Sequence, residues 1–173
     1  MDIKEAILTR RSIRNYEDKE VSDELIIELL KGAMASPSAN NKQPWEFLVL
    51  RDREKMDNII DINPEATPLK TANVAIVVCG NLDVYKGYKK NVDFWIQDCA
   101  AATQNILLMA HGKGLGAVWI GIYPATPRTE DVSLILNLPE NIIPLSIISI
   151  GYPLNKVEPS NRYNQSKIHY NIW

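Results

Sequence analysis

Residues 10–14, Arg-Arg-Ser-Ile-Arg, put three guanidiniums and a hydroxyl within five positions. Like charges this close repel one another, so the cluster is more comfortable with an anion among them, and a phosphomonoester is the obvious candidate. A guanidinium paired closely with a unit negative charge gains roughly 4 kcal/mol before desolvation costs at an intermediate dielectric. Downstream, Ser36-Pro37-Ser38-Ala39-Asn40-Asn41-Lys42-Gln43-Pro44-Trp45 is a loop bracketed by prolines and rich in hydroxyl and amide groups. Together the two stretches suit a phosphorylated, planar small molecule with many hydrogen-bonding atoms. Each also has a plainer reading. A charge run is commonly a solvated turn, Ser38 and Asn41 are usual turn residues, and Trp45 reads as core.

Other catalytic constellations are missing. His111 and His169 lie near no Cys or carboxylate cluster at ligand spacing, so no metal site is expected. Spacing supports neither a Ser-His-Asp set nor a Cys-His pair. The turn from Gly114 to Gly121 fails as a dinucleotide fingerprint because Trp119 stands where the third glycine belongs, and there is no lysine-containing phosphate loop. His111, between Ala110 and Gly112 on an expected apolar helix, reads as a core or interface histidine and not as a base.

The elements that must position these groups follow from periodicity and punctuation. Asp2 can cap a first helix through about Thr9, which delivers the arginines at its end. Ser22 starts a second helix, with Val21 and Ile26 placed as a hydrophobic staple, and Pro37 stops it because the residue before proline avoids helical geometry. Trp45 to Leu50 reads as a strand, followed by a short helix capped by Asp52, and Pro64 and Pro68 mark a loop. Val74 to Cys79 is apolar without alternation, which suits a central strand covered on both faces. From about Asn91 to Lys113 runs a long helical pattern whose centre, Cys99 to Ala110, is small or apolar on nearly every face. Enclosing it in a chain of this size calls for a partner subunit, so a homodimer is expected, with Gly114 ending the helix. Leu115 to Ile122 and Leu145 to Ile150 read as strands, with a helix from Thr126 or Thr129 to Leu136 between them. The tail from Tyr152 to Trp173 has few core formers and must lie along something.

The 173 residues are expected to form one domain spanning residues 1–173, which at that size buries roughly 70% of its unfolded surface. With 46% hydrophobic and 23% charged residues and a formal net charge of -2, the composition is that of an ordinary globular protein and argues against a nucleic-acid partner. No run approaches the roughly 20 apolar residues that span a bilayer, and the start Met1-Asp2-Ile3-Lys4-Glu5 lacks the layout of a secretory signal. A cytoplasmic, non-membrane protein is expected. Cys79 and Cys99, in apolar segments, read as buried thiols of a reducing compartment.

The motifs taken in order resemble the flavin-dependent nitroreductase family, whose members show R-R-S-x-R near the N-terminus and A-P-S-A-x-N-x-Q-P-W after the next helix. Arg10, Arg11, Ser12 and Arg14 match the first. Pro37, Ser38, Ala39, Asn41, Gln43, Pro44 and Trp45 match the second. Gln97-Asp98, Ala100 to Ala102, Asn105, Gly114-Leu115-Gly116 and Trp119-Ile120-Gly121 resemble the central helix and the turn and strand after it. Gly151-Tyr152-Pro153, Arg162 and His169-Tyr170-Asn171 resemble the C-terminal signature, so the likeness runs from about Ile3 to Trp173.

What the resemblance implies is an α+β fold with a mixed, mainly antiparallel sheet flanked by helices, in an intertwined homodimer whose C-terminal segment adds an edge strand to its partner. It implies FMN as cofactor, NADH or NADPH as reductant, and a small electron acceptor such as a quinone or nitroaromatic, in ping-pong turnover. Arg10, Ser12 and Arg162, with Arg11 carried along, would hold the phosphate. Arg14 would reach the N1/O2 side of the flavin and tune it. Pro37, Ser38, Ala39, Asn41 and Gln43 would approach from the neighbouring chain, and the backbone around Trp119, Ile120 and Gly121 would lie near N5. The flavin would carry the chemistry, with no protein nucleophile. Ser36 departs from the usual alanine, and the short connections leave no room for the helical lid of some members. Three alternatives stay open: a surface ion pair of Arg14 with Glu17 or Asp18, a flavin-binding or flavin-sensing protein with little turnover or a relative acting on one specialised substrate, and a structural dimer without cofactor. Loops around Leu82 to Val92 and Tyr123 to Arg128 would shape the choice of acceptor.

Overall fold

The computed structural model describes residues 1–86 and 93–173. The expected helix start at Asn91 and the end of the loop through Val92 lie outside the described residues. Nine elements run in the order α1 (Ile3–Thr9), α2 (Asp23–Met34), β1 (Trp45–Leu50), α3 (Arg53–Ile62), β2 (Val74–Asn81), α4 (Phe94–Gly112), β3 (Gly116–Gly121), α5 (Thr126–Leu136) and β4 (Ile142–Gly151). The caps are those the side chains favour. Asp2, Ser22 and Asp52 each accept from a backbone N–H three residues on, at the starts of α1, α2 and α3. Gly114 takes a left-handed φ of 77° just after α4, where a Cβ would be strained.

The strands form one sheet in the order β1-β2-β4-β3, and every neighbouring pair is antiparallel. The parallel component of the expected mixed sheet is a single bridge, Ser12 to Ala117. β2 is central and buried from Val74 to Gly80. Its side chains alternate between two cores: Val74, Ile76 and Val78 face α2 and α4, while Ala75, Val77 and Cys79 face α3 and α5. Each fully buried Ile or Val contributes roughly 1.5–3 kcal/mol of burial, so these two layers account for the absence of alternation along β2.

The Pro64–Pro68 segment differs from the expected loop. It is a 3-10 helix over Pro64–Lys70, because Asn63 caps it, Pro64 occupies the first turn, and Ala66 and Leu69 are fully buried. α4 starts at Phe94 and is buried along the face toward the sheet, whereas Phe94 is exposed and Ala100, Ala101, Leu108 and Met109 are half-buried. Residues 154–173 are exposed throughout, with Tyr170, Ile172 and Trp173 largely in solvent. Cys79 and Cys99 are buried free thiols. The Cys99 Sγ donates to the Cys79 carbonyl at 3.4 Å, and burial pushes the Cys79 thiol up to about 12. Among the described residues no helix is long and apolar enough to cross a membrane.

Candidate functional site

The segment after α1 is laid against the end of the sheet by two close approaches. Gly151 leaves room for Tyr16, since a Cβ there would stand 2.8 Å from the Tyr16 Cβ and Cγ, and Gly116 does the same for Ile13. The Ile13 N–H donates to Ala117 O at 3.1 Å. The buried Tyr16 hydroxyl donates to Ile13 O at 2.6 Å and lies 2.7 Å from Ser149 Oγ, and burial pushes its phenol well above the ordinary range. Arg14 is thus held between two anchored neighbours while its own side chain is exposed.

On this arm the guanidiniums meet the other end of the chain. Arg11 donates to the carbonyls of Leu8 at 2.8 Å and Arg10 at 2.6 Å, and across to Glu158 and Ser160 at 3.3 Å each. Those bonds fasten the C-terminal segment to the arm and bring in Arg162. A cavity of about 600 Å³ opens there, lined by Leu8, Thr9, Arg10, Arg11, Ser160 and Arg162 among others. Burial first, and then the charges of Arg11 and Arg162, lower the pKa of Arg10. No ion pair among the described residues involves Arg10, Arg11, Arg14 or Arg162, so the surface pair of Arg14 with Glu17 or Asp18 does not form. Three cations share a cavity whose lining has no carboxylate, and the half-buried Ser12 beside them makes no hydrogen bond through its hydroxyl among the described residues. An anionic phosphate with several acceptor oxygens is what this donor set lacks.

His111, near the end of α4, borders the cluster. Its Nε2 lies 2.8 Å from Thr9 Oγ1, which also donates to Glu5 O at 2.7 Å. Burial, then the charge of Arg10, holds the imidazole below its ordinary pKa, with Glu5 opposing and Arg11 adding.

β3 leads from the arm to the remaining predicted residues. Two residues after the Ser12–Ala117 bridge, Trp119 is 37% exposed, while Ile120 is buried in the α3–α5 core. A Cβ on Gly121 would meet nothing within 4 Å, so a flat group has room to approach the backbone there. The Gly121 carbonyl accepts from Arg128 Nη1 at 2.9 Å.

The Ser36–Gln43 loop lies elsewhere. Asn40, Asn41 and Gln43 all take left-handed φ values, of 50°, 54° and 50°. Such conformations cost a non-glycine residue roughly 1–2 kcal/mol each and gather where structure is imposed from outside. Within the loop, Gln43 N–H donates to Ser38 Oγ at 2.9 Å and Gln43 Nε2 to Asn41 Oδ1 at 2.8 Å. From α4, Asn105 Nδ2 donates to Gly32 O at 3.0 Å and Ser36 Oγ at 2.8 Å, and Asp98 Oδ1 accepts from the Ala39 N–H at 3.0 Å. Asp98 is 5% exposed, and its second oxygen accepts from the Tyr85 hydroxyl at 2.6 Å. Pro44 and Trp45 are buried, so Trp45 is core.

Within one chain, therefore, Arg10, Arg11 and Arg162 line one cavity, and Ser12 ties their arm to Ala117 on the strand that carries Trp119, Ile120 and Gly121. Among the described residues, the hydrogen bonds of Ser38, Ala39, Asn41 and Gln43 lie within their own loop or with Asp98. α4 carries the loop at Asp98 and the arginine arm at His111, about 20 Å apart at 1.5 Å per residue. Asp98, Asn105, Tyr85 and Ser36 are the residues that sequence reasoning left out of the site. One signal pointed to them: Asp98 and Asn105 stand seven apart, on one face of an otherwise apolar helix. Among the described residues no group of three or more His, Cys, Asp or Glu could hold a metal ion.

Comparison with known proteins gives this geometry a context. The model of the nitroreductase family matches residues 7–70 and 64–152. A protein of Methanothermobacter thermautotrophicus, provisionally named NADH dehydrogenase/NAD(P)H nitroreductase, is 44% identical over 173 residues, covering 100% of this chain and 88% of its own. A crystal structure from Parabacteroides distasonis, with the same provisional name, superposes at a TM-score of 0.92 with 43% identity and 98% coverage of both chains. A provisionally named nitroreductase of Desulfovibrio desulfuricans, crystallised in complex with FMN, superposes at 0.85 with 31% identity over 100% of this chain and 98% of its own.

Proposed function

The chain belongs to the nitroreductase family, and on that premise we propose that it is an FMN-dependent oxidoreductase taking hydride from NADH or NADPH and passing electrons to a small acceptor such as a quinone or nitroaromatic. The observation that carries the reading is the cavity where Arg10, Arg11 and Arg162 converge with no carboxylate to balance them. Bound FMN supplies the redox chemistry at N5 of its ring, as flavins do when a protein provides orientation and electrostatics.

The chain's own residues divide that work. Arg10, Arg162 and the Ser12 hydroxyl bind the phosphate, and Arg11 lends charge while fastening the C-terminal segment over it. Arg14 places positive charge where reduction leaves negative charge on the pyrimidine side, which favours the reduced form. The open backbone at Gly121 admits the ring, with Trp119 and Ile120 beside it. Reductant and acceptor use the same face in turn, so ping-pong kinetics are expected, and intersecting lines in a two-substrate rate analysis would count against them.

The second half of each site comes from a second copy of the chain. A loop about 20 Å along α4 from the arginines is poorly placed to touch the same ring in one chain. The exposed Phe94, the half-buried Leu108 and Met109, and a tail ending in Tyr170, Ile172 and Trp173 give a partner apolar surface to cover. In the homodimer, Pro37, Ser38, Ala39, Asn41 and Gln43 of one chain line the flavin held by the other, and the cytoplasm supplies the nicotinamide. An anaerobic spectral titration of the purified protein with NADH and with NADPH tests this. Bleaching of a bound flavin by one of them is the expected result, and a colourless protein that cannot be reconstituted with FMN overturns it.

A further inference from the structure

We propose that Asp98 is a positioning residue for the flavin, acting through the Ala39 N–H to hold the Ser38–Gln43 loop in the shape that lines the ring. The inference rests on the flavin reading above. A carboxylate 5% exposed, with no ion pair among the described residues, is an expensive group to retain in an apolar helix unless both oxygens are met. They are met, by Ala39 N and by the Tyr85 hydroxyl. A charged acceptor makes a stronger bond to a backbone N–H than a neutral one does, so this tie grips the loop harder than a hydroxyl or amide would.

The tie also falls where the loop needs it. Ala39 directly precedes the left-handed pair Asn40 and Asn41, and Lys42 N–H returns to Ala39 O at 3.0 Å. Fixing Ala39 therefore fixes the turn that presents Asn41 and Gln43. Seven residues along α4, Asn105 holds the loop's entry at Ser36. The helix thus orients both ends of the Ser36–Ala39 stretch, and Asp98 supplies the charged one. Through Tyr85 the same carboxylate joins this loop to the segment that follows β2, Leu82–Tyr85.

The test uses apo-protein from the full chain, titrated with FMN by fluorescence, with the visible circular dichroism of the bound flavin as a readout of ring placement. Asp98→Ala is expected to weaken FMN binding at least tenfold and to change the dichroism band. Asp98→Asn is expected to keep the wild-type dichroism band with an affinity between those of Asp98→Ala and wild type, because its carbonyl oxygen still accepts from Ala39 and its amide donates to the Tyr85 oxygen, but the bond to the N–H is no longer charged. Ala39→Pro removes the same N–H, and the extended Ser38 backbone at φ −140° and ψ 153° tolerates a following proline, but its Cδ takes the place of the hydrogen aimed at Asp98 Oδ1, so it is read together with Asp98→Ala, which clears that space. It should reproduce the loss seen in Asp98→Ala, and the double variant should lose no more than either alone. Wild-type affinity and dichroism in Asp98→Ala, or additive losses in the double variant, overturn the inference. If Asp98→Ala fails to fold, Asp98→Asn decides it by the same readouts. A wild-type protein that binds no FMN overturns the flavin reading itself, which sets that failure apart from this one.

Discussion

The arginine arm and the Ser36–Gln43 loop are held by opposite means. The arm is cationic and half-buried from Arg10 to Ile13, its guanidiniums make no ion pair among the described residues, and its ties are backbone bridges and one guanidinium on carbonyl oxygens. The loop is strained at three residues and is tied from a buried helix face by a carboxylate and an amide. The difference teaches what each region is for. The arm stores unmet charge, which a bound anion satisfies, so flavin-free protein carries its cost. The loop stores shape, in three left-handed residues and the bonds that fix them. Changes in the arm should therefore lower ligand affinity with a strong salt dependence, and changes in the loop should alter stability, ring placement and affinity with little salt dependence.

The largest effect is expected from Arg10→Ala. Losing a charge-assisted hydrogen bond to phosphate is worth about 1.5–3 kcal/mol, which is roughly a 10- to 150-fold rise in the FMN dissociation constant. Flavin-free Arg10→Ala should be no less stable than wild type, since it relieves repulsion from Arg11 and Arg162. Fluorescence titrations at low and high salt, with thermal melts of the apo-protein, check both halves. A loss of apo stability without a loss of affinity would reverse the contrast.

Gly151→Ala attacks the arm's footing. A methyl there meets Tyr16 at 2.8 Å, and overpacking of this kind costs about 1–3 kcal/mol. A lower denaturation midpoint is expected, together with weaker flavin binding because Tyr16 and Ile13 hold Arg14 between them. Arg14→Ala is the milder companion. It should lower the reduction potential of the bound flavin by about 30 mV, the equivalent of some 1.4 kcal/mol for two electrons, while changing affinity less than Arg10→Ala. A redox titration that finds no shift removes Arg14 from its proposed role.

How much of this was legible in the sequence follows from the same contrast. The clustering in the arm could be read because it is local: three arginines and a serine within five residues need no fold to bring them together. β2 and the buried stretch of α4 could be read because burial on several faces erases periodicity. The loop's anchors could not, since Ala39 and Asp98 are 59 residues apart and Ser36 and Asn105 are 69, and no local rule pairs a turn amide with a carboxylate on a distant apolar helix. Ser36, noticed only as a departure from alanine, accepts from Asn105 Nδ2. The Pro64–Lys70 helix was missed because Asn63 and Pro64 read equally well as loop punctuation, and the burial of Ala66 and Leu69 that decides for a helix depends on the rest of the fold. Ser36→Ala tests the loop side directly. Asn105 keeps its bond to Gly32 O, so the cost should be about 0.5–1.5 kcal/mol of apo stability, with no salt dependence in flavin binding.

The smallest effect belongs to His111, which sits where the arm meets α4. Thr9 spends its one proton on Glu5 O, so the imidazole presents Nε2–H to Thr9. Burial and Arg10, helped by Arg11 and opposed by Glu5, hold its folded pKa below the ordinary value of about 6.5. Between those two values the unfolded chain binds more protons than the folded one. Stability therefore falls as pH drops below about 6.5 and levels off under the folded pKa. The group is only partly buried, so screening keeps this component below about 1 kcal/mol. His111→Gln retains an N–H for Thr9 and does not titrate, so the denaturation midpoint of the apo variant should lose less between about pH 7 and pH 5.5 than wild type does. Bound phosphate offsets the charges of Arg10 and Arg11, raising the His111 pKa toward its ordinary value, so the difference between variant and wild type should shrink in the flavin-loaded protein. Persistence of the full difference with flavin bound would mean that the anion does not sit among these guanidiniums, and would move the electrostatic half of the site away from the arm.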